Sequence, residues 1–144
     1  MYMDLLHFTP ITAASREEIT AYTLASQSRI CDLAFANLFG WAVKYETSYA
    51  IADDTLFIRF TSPARPHPAY LIPIRRGGGC GSDALEHLRH EADAGGYPLV
   101  VMGITPHCRE HLEELCPGAF TFLEDEGAAD YNYLRERLVS LSGK

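Results

Sequence analysis

Basic side chains are scarce in this chain: twelve Lys and Arg stand against nineteen Asp and Glu over 144 residues, for a formal net charge of −7. Affinity for nucleic acid comes mainly from Lys and Arg displacing counterions from phosphates, so this balance excludes a domain that grips DNA or RNA unaided. An RNA-bound substrate would need basic surface supplied by a partner. Long apolar runs are also missing, and none reaches the length that crosses a bilayer. The start, Met1-Tyr-Met-Asp-Leu-Leu-His-Phe8, has an early acid and no basic residue ahead of a long apolar stretch, unlike an export signal, so the expected location is the cytoplasm. Cysteine is limited to Cys31, Cys80, Cys108 and Cys116 without a C-x-x-C pair, which points to reduced thiols and away from a disulfide frame. There is no internal repeat and no low-complexity segment. What remains, 47% hydrophobic and 22% charged residues, is ordinary for one globular domain with a real core.

Local signals divide the chain into alternating elements. Ser15-Arg-Glu-Glu18 reads as a capping box opening a first helix through Ile19, Tyr22 and Leu24. Helical spacing of Leu33, Ala34, Leu38 and Trp41 predicts a second helix over 31–43. Strands follow over 48–52 and 56–60, joined by Asp53-Asp54 in a tight hairpin turn. The three prolines of 62–68 make that segment a surface loop, and the next strand, 69–74, must accommodate Pro73 by a bulge or an unpaired position. A helix over 83–94 has Ser82 as its N-cap and Gly95-Gly96 as its stop, and the apolar run of 98–104 reads as a central strand buried on both faces. Thr105-Pro106 caps a further helix ending near Cys116. Strands over 119–123 and 131–134 flank an acidic connection, and 135–144 is a short final helix.

Between the third strand and the third helix lies Arg76-Gly77-Gly78-Gly79-Cys80-Gly81-Ser82. Glycines let backbone N–H groups approach an anion without a Cβ in the way, and a helix start adds unpaired donors and partial positive charge. The spacing, R-x-x-G-x-G, resembles the pyrophosphate loop of GNAT-type acyltransferases, and its place in the order of elements is where such enzymes hold coenzyme A. It lacks the Lys and Ser or Thr of a P-loop. The resemblance implies an α/β (α+β) GNAT-like fold with a mixed, mostly antiparallel sheet flanked by helices. It implies coenzyme A or acyl-CoA as cofactor on Arg76, Gly77, Gly78, Gly79, Cys80, Gly81 and Ser82, with Arg76, Gly79 and Gly81 the first choices for anion contact. Three successive glycines make the loop looser than a compact cradle.

A closer resemblance is carried by Ser28-Arg-Ile-Cys-Asp-Leu-Ala-Phe-Ala-Asn-Leu-Phe-Gly-Trp41, Tyr49-Ala-Ile-Ala-Asp-Asp54, Gly103-Ile-Thr105, Asp130-Tyr-Asn-Tyr133 and Leu138-Val-Ser-Leu-Ser-Gly-Lys144. These blocks are similar to bacterial proteins related to the C-terminal region of phosphatidylglycerol lysyltransferase, which carry two GNAT-like domains in tandem. The resemblance implies that residues 1–144 form one GNAT-like domain, the N-terminal half of such a protein. It further implies aminoacyl or acyl transfer to a lipid or cell-wall acceptor, with a second GNAT-like domain or self-association as partner and aminoacyl-tRNA engaged only alongside a basic partner domain.

No side chain volunteers as catalytic base. Tyr131 and Tyr133 share one strand face, where packing is their expected task. His107 and His111 lie one helical turn apart near Cys108 and Cys116, but lack a converging ligand set and the Glu of the metalloprotease motif, so no metal is expected and a solvated helix face is. His87 and His90 read as the polar side of a helix, and Glu124 to Asp130 as a solvated loop. Phe35, Phe39, Trp41 and Tyr45 nearly encircle the second helix and suit either core or a covered interface. The competing functions are a tandem aminoacyl transferase half, a non-catalytic scaffold domain and an acyl-CoA-dependent N-acetyltransferase. The isolated chain is expected to be inactive, because no base lies within evident reach of the glycine loop.

Overall fold

Six strands form one mixed sheet among the described residues, 3–128 and 135–140 of this computed structural model. In chain order they are β1 (Thr9–Pro10), β2 (Ser48–Ala52), β3 (Thr55–Phe60), β4 (Ala69–Leu71), β5 (Ile74–Arg75) and β6 (Val101–Met102). In space the order is β1-β2-β3-β4-β6, with β5 paired onto β3. Every pair is antiparallel except β4 with β6. The helices are α1 (Arg16–Thr23), α2 (Phe35–Gly40), α3 (Ala42–Tyr45), α4 (Ser82–Gly95), α5 (Pro106–Leu115) and α6 (Arg135–Ser140). The α+β class with a mostly antiparallel sheet, anticipated from the sequence, is the one adopted.

Strand alternation builds two cores from one sheet, because successive side chains point to opposite faces. Leu56, Ile58 and Leu71 join Ile19, Tyr22, Leu33 and Leu38 on one side, whereas Phe57 and Tyr70 join Cys80, Leu85, Leu88 and Leu112 on the other. Thus α1 and α2 cover one face, and α4 with α5 the second. Ile19 and Leu88 are both 0% exposed, and burying a side chain of that size contributes about 1.5–3 kcal/mol.

Several local expectations give way to tertiary packing. The capping box forms one turn earlier, with Thr12 N–H donating to Ser15 Oγ at 3.1 Å, while Glu18 accepts from Tyr49 Oη at 2.8 Å. The helix expected over 31–43 is broken at Ala34, whose ψ of 130° is extended, and again at Trp41. On an unbroken helix Leu33 and Leu38 would lie about 140° apart; the break buries both. Gly81, not Ser82, is the N-cap of α4. The run 98–104 is no central strand: only Val101 and Met102 pair, at an edge of the sheet and half-buried, and Thr55 to Ile58 of β3 form the buried centre. Residues 119–123 form no strand, although Phe120 and Phe122 pack on the second core. Tyr131, Tyr133 and the strand expected over 131–134 lie outside the described residues.

The hairpin turn matches its sequence reading. Asp53 and Asp54 adopt φ of 49° and 55°, both left-handed, which is the two-residue turn that follows the twist of the flanking strands.

Candidate functional site

The parallel pair β4 and β6 opens immediately after its last hydrogen bond, from Ile72 N–H to Met102 O at 2.9 Å. Pro73 has no N–H to continue the ladder, and its chain returns to β3 through Ile74 and Arg75. On the other side Gly103, with φ of 78°, turns away toward α5. The two chains part and leave a cleft of about 380 Å³, within the range of small-molecule sites. Ile30, Leu33, Ile72 and Ile74 give it apolar walls, and Gly78, Gly79, Cys80, His107, Cys108 and His111 surround it.

The glycine loop stands at this cleft and is closed on itself. Gly78 N–H donates to Arg75 O at 2.9 Å and Arg75 N–H to Gly79 O at 3.3 Å, with Gly78 and Gly79 at φ of 91° and 75°. The loop is therefore tighter than three glycines in a row imply. Among the described residues, no backbone carbonyl accepts from the N–H groups of residues 80–84, the donors a helix start leaves unpaired. Asp83 occupies part of that space. Its carboxylate pairs with Arg75 Nη2 at 3.1 Å, and a Cβ added to Gly81 would lie 2.3 Å from its Oδ1.

Arg76, the first sequence choice for anion contact, lies on the other face. Its Nε is 3.1 Å from Asp54 Oδ1, its guanidinium carbon 4.8 Å from the Tyr22 ring centre, and its N–H donates to Asp54 O at 3.1 Å. Alternation from Ile74 explains the exchange of roles: Ile74 belongs to the α1 side, so Arg75 points toward α4 and Arg76 back toward Tyr22. Arg75 was missed because a motif read by spacing ignores the phase of its strand.

Cys80 is buried, and burial first, then neighbouring Cys108, Asp83 and Cys116 against an opposing Arg75, pushes its thiol up to about 12. Burial pushes the Cys108 thiol up as well. Neither is a nucleophile near neutral pH. Thr105 caps α5, its Oγ1 accepting from Cys108 N–H at 3.2 Å, and so orients the helix that carries both histidines. The solvated face expected there is corrected: His111 is half-buried and its Nε2 lies 3.0 Å from Cys80 O. The only earlier signal was the four-residue spacing of His107 and His111, which does not reveal where α5 docks. Among the described residues, no group of three His, Cys, Asp or Glu side chains converges as a metal site.

His87 is corrected likewise. Its side chain is only 11% exposed, stacks edge-on to Phe57 at 5.7 Å and lies 3.0 Å from Asp53 Oδ2. It borders a separate cavity of about 590 Å³ between the N-terminal segment and the hairpin. His90 Nδ1 is buried without a partner among the described residues, and the described acids Glu124, Asp125 and Glu126 are exposed.

The one parallel strand pair of this α+β domain thus opens beside a glycine loop that leads into a helix start. The chain belongs to the family described as phosphatidylglycerol lysyltransferase, C-terminal, which it matches over residues 25–144. It is also similar, at 37% identity and a TM-score of 0.88, to a crystal structure of a conserved protein of unknown function from Bacteroides thetaiotaomicron VPI-5482. That likeness covers 97% of this chain and 46% of the other, so the chain spans about half the length of that protein. No curated protein matches it. No helix among the described residues is long and apolar enough to cross a membrane.

Proposed function

We propose that this domain takes part in transfer of an activated acyl group, with aminoacyl transfer to a lipid headgroup or cell-wall acceptor as the leading reading. One observation carries it: the cleft opened by Pro73 and Gly103 is lined by Gly78, Gly79 and Cys80 of the glycine loop, which leads directly into α4. An acyl chain can enter between the strands while an anionic end meets the N–H groups of 80–84. The sequence of antiparallel hairpin, glycine loop, α4 and parallel β6 supports a GNAT-like reading of the fold. Coenzyme A or acyl-CoA, the donor of the N-acetyltransferase alternative, would lie on the same loop, from Arg76 to Ser82. A match over 46% of a longer relative suits a domain that works as the N-terminal half of a tandem pair, and that second domain would supply the basic surface tRNA requires.

The test is an NMR titration of the ¹⁵N-labelled chain with coenzyme A and acetyl-coenzyme A. Shifts confined to 78–84 and 103–111 are expected. A flat titration at millimolar coenzyme A would sink the reading. The scaffold reading is favoured by a specific observation: Arg75 and Arg76 are already paired with Asp83 and Asp54. It requires the flat titration and a silent Gly81→Asp.

A further inference from the structure

We infer that His111 accepts the proton of the attacking amine or hydroxyl in the cleft, an inference that rests on the acyl-transfer reading above. Among the described residues, the ionisable side chains lining the cleft are two imidazoles, His107 and His111, and two thiols, Cys80 and Cys108. Both thiols are held protonated by burial, and no carboxylate lines the cleft. A base must therefore be an imidazole.

The two rings are not equivalent. A carbonyl oxygen only accepts, so the 3.0 Å bond between His111 and Cys80 O puts a proton on Nε2. In the neutral ring the lone pair then sits on Nδ1. Among the described residues no hydrogen bond engages Nδ1, and the half-buried ring lines the cleft, so this lone pair is not otherwise committed. The carbonyl that fixes the tautomer belongs to the glycine loop itself. One segment thus positions both the anionic end of a donor and the lone pair that must meet its nucleophile. His107, one turn earlier, is exposed, and no hydrogen bond to a described residue holds its ring.

In the step, the nucleophile's lone pair forms a bond to the acyl carbon while its N–H or O–H proton passes to Nδ1. The tetrahedral carbon collapses, breaking the C–O bond to the ribose of an aminoacyl-tRNA or the C–S bond to coenzyme A. The imidazolium returns the same proton to the leaving oxygen or sulfur, and neutral His111 is restored. The charges around it are few: Cys80 and Cys108 are neutral thiols, Arg75 and Asp83 at the start of α4 neutralise each other, and α5 adds His107, Glu110 and Glu114.

His111→Gln tests this, because the Gln amide nitrogen can still donate to Cys80 O but offers no basic lone pair. With acetyl-coenzyme A and an amine, the variant should lose about 100-fold or more in transfer rate. Donor shifts at 78–84 should persist, the pH dependence of the wild-type rate should flatten, and His67→Gln, at an exposed imidazole of the 62–68 loop away from the cleft, should stay within about threefold. An active wild type whose His111→Gln retains its rate, or whose loss falls on His107→Gln, overturns the base and leaves acyl transfer standing. A wild type that neither binds nor transfers from acetyl-coenzyme A removes both. An imidazole ¹H–¹⁵N spectrum with the neutral-ring proton on Nδ1 overturns the assignment without any assay of activity.

Discussion

Arg75 and Arg76 are neighbours in sequence and serve opposite faces of the sheet, so each residue of the loop answers to a different partner. Gly81 is where this can be probed most directly. A methyl group there lies 2.3 Å from Asp83 Oδ1 and 3.4 Å from both terminal nitrogens of Arg75, so Gly81→Ala must push the Asp83 carboxylate off the helix start. The displaced pair is 42% and 44% exposed, and its loss should lower stability by no more than about 1 kcal/mol in urea. Coenzyme A should bind both Gly81→Ala, whose Cβ enters the space the glycine leaves open, and Gly81→Asp less tightly than wild type, as measured by calorimetry; unchanged affinity in both would remove the loop as an anion site. Cys80 gives a pH prediction. Its thiol pKa rises from 9.0 to about 12 on folding, so the neutral thiol's contribution is complete below about pH 9 and is lost as pH climbs toward 12. Urea midpoints measured from pH 8 to 10 should fall less steeply in Cys80→Ala than in wild type. The loop was legible because glycine clusters announce themselves. The places of Arg75 and His111 beside it were not, since one depends on strand phase across Pro73 and the other on how α5 docks.

At the scale of elements, α4 carries the loop, and the loop's position depends on how firmly α4 seats. Leu88 is 0% exposed in the core beneath it, so Leu88→Ala should cost about 2–5 kcal/mol in urea denaturation. A cost under 1 kcal/mol would mean that the face is loosely packed. The α2–α3 segment presents the opposite case. Phe39, Trp41 and Val43 are 46%, 53% and 93% exposed, and Lys44 Nζ lies 5.2 Å from the Trp41 ring centre. Such a patch should drive weak self-association, and sedimentation velocity should show Phe39→Ser with Trp41→Ser shifting the chain toward monomer. A wild type monomeric at the highest attainable concentration would contradict it. Phe35 and Tyr45 are half-buried, so the four-aromatic face expected from spacing is only partly outward. Elements with local signatures were legible: the Asp53-Asp54 turn, the Thr105-Pro106 start of α5 and the Gly95-Gly96 end of α4. Those misread, the broken helix at 31–43 and the apolar run at 98–104, are decided by where the sheet's centre falls, which periodicity alone does not encode.

For the whole molecule, the net charge of −7 predicts that tRNA binding by this chain alone vanishes at physiological salt, a point a filter-binding salt series would settle. The pairing of β4 with β6 has a different kind of consequence. It joins Tyr70 to Val101 across the whole of α4, whereas β2 and β3 pair through a two-residue turn. Chain closure over that span is slow and entropically costly, and a two-residue edge strand returns little for it. The hairpin should therefore order early and the cleft last, and in the folded protein the same seam should open first. Amide hydrogen exchange would read this order, with Tyr70 and Ile72, which donate to Val100 and Met102, exchanging faster than the central amides of β3. A ligand bridging the glycine loop and α5 would then act as a clasp on the last-formed seam, slowing exchange there while leaving the hairpin's protection unchanged.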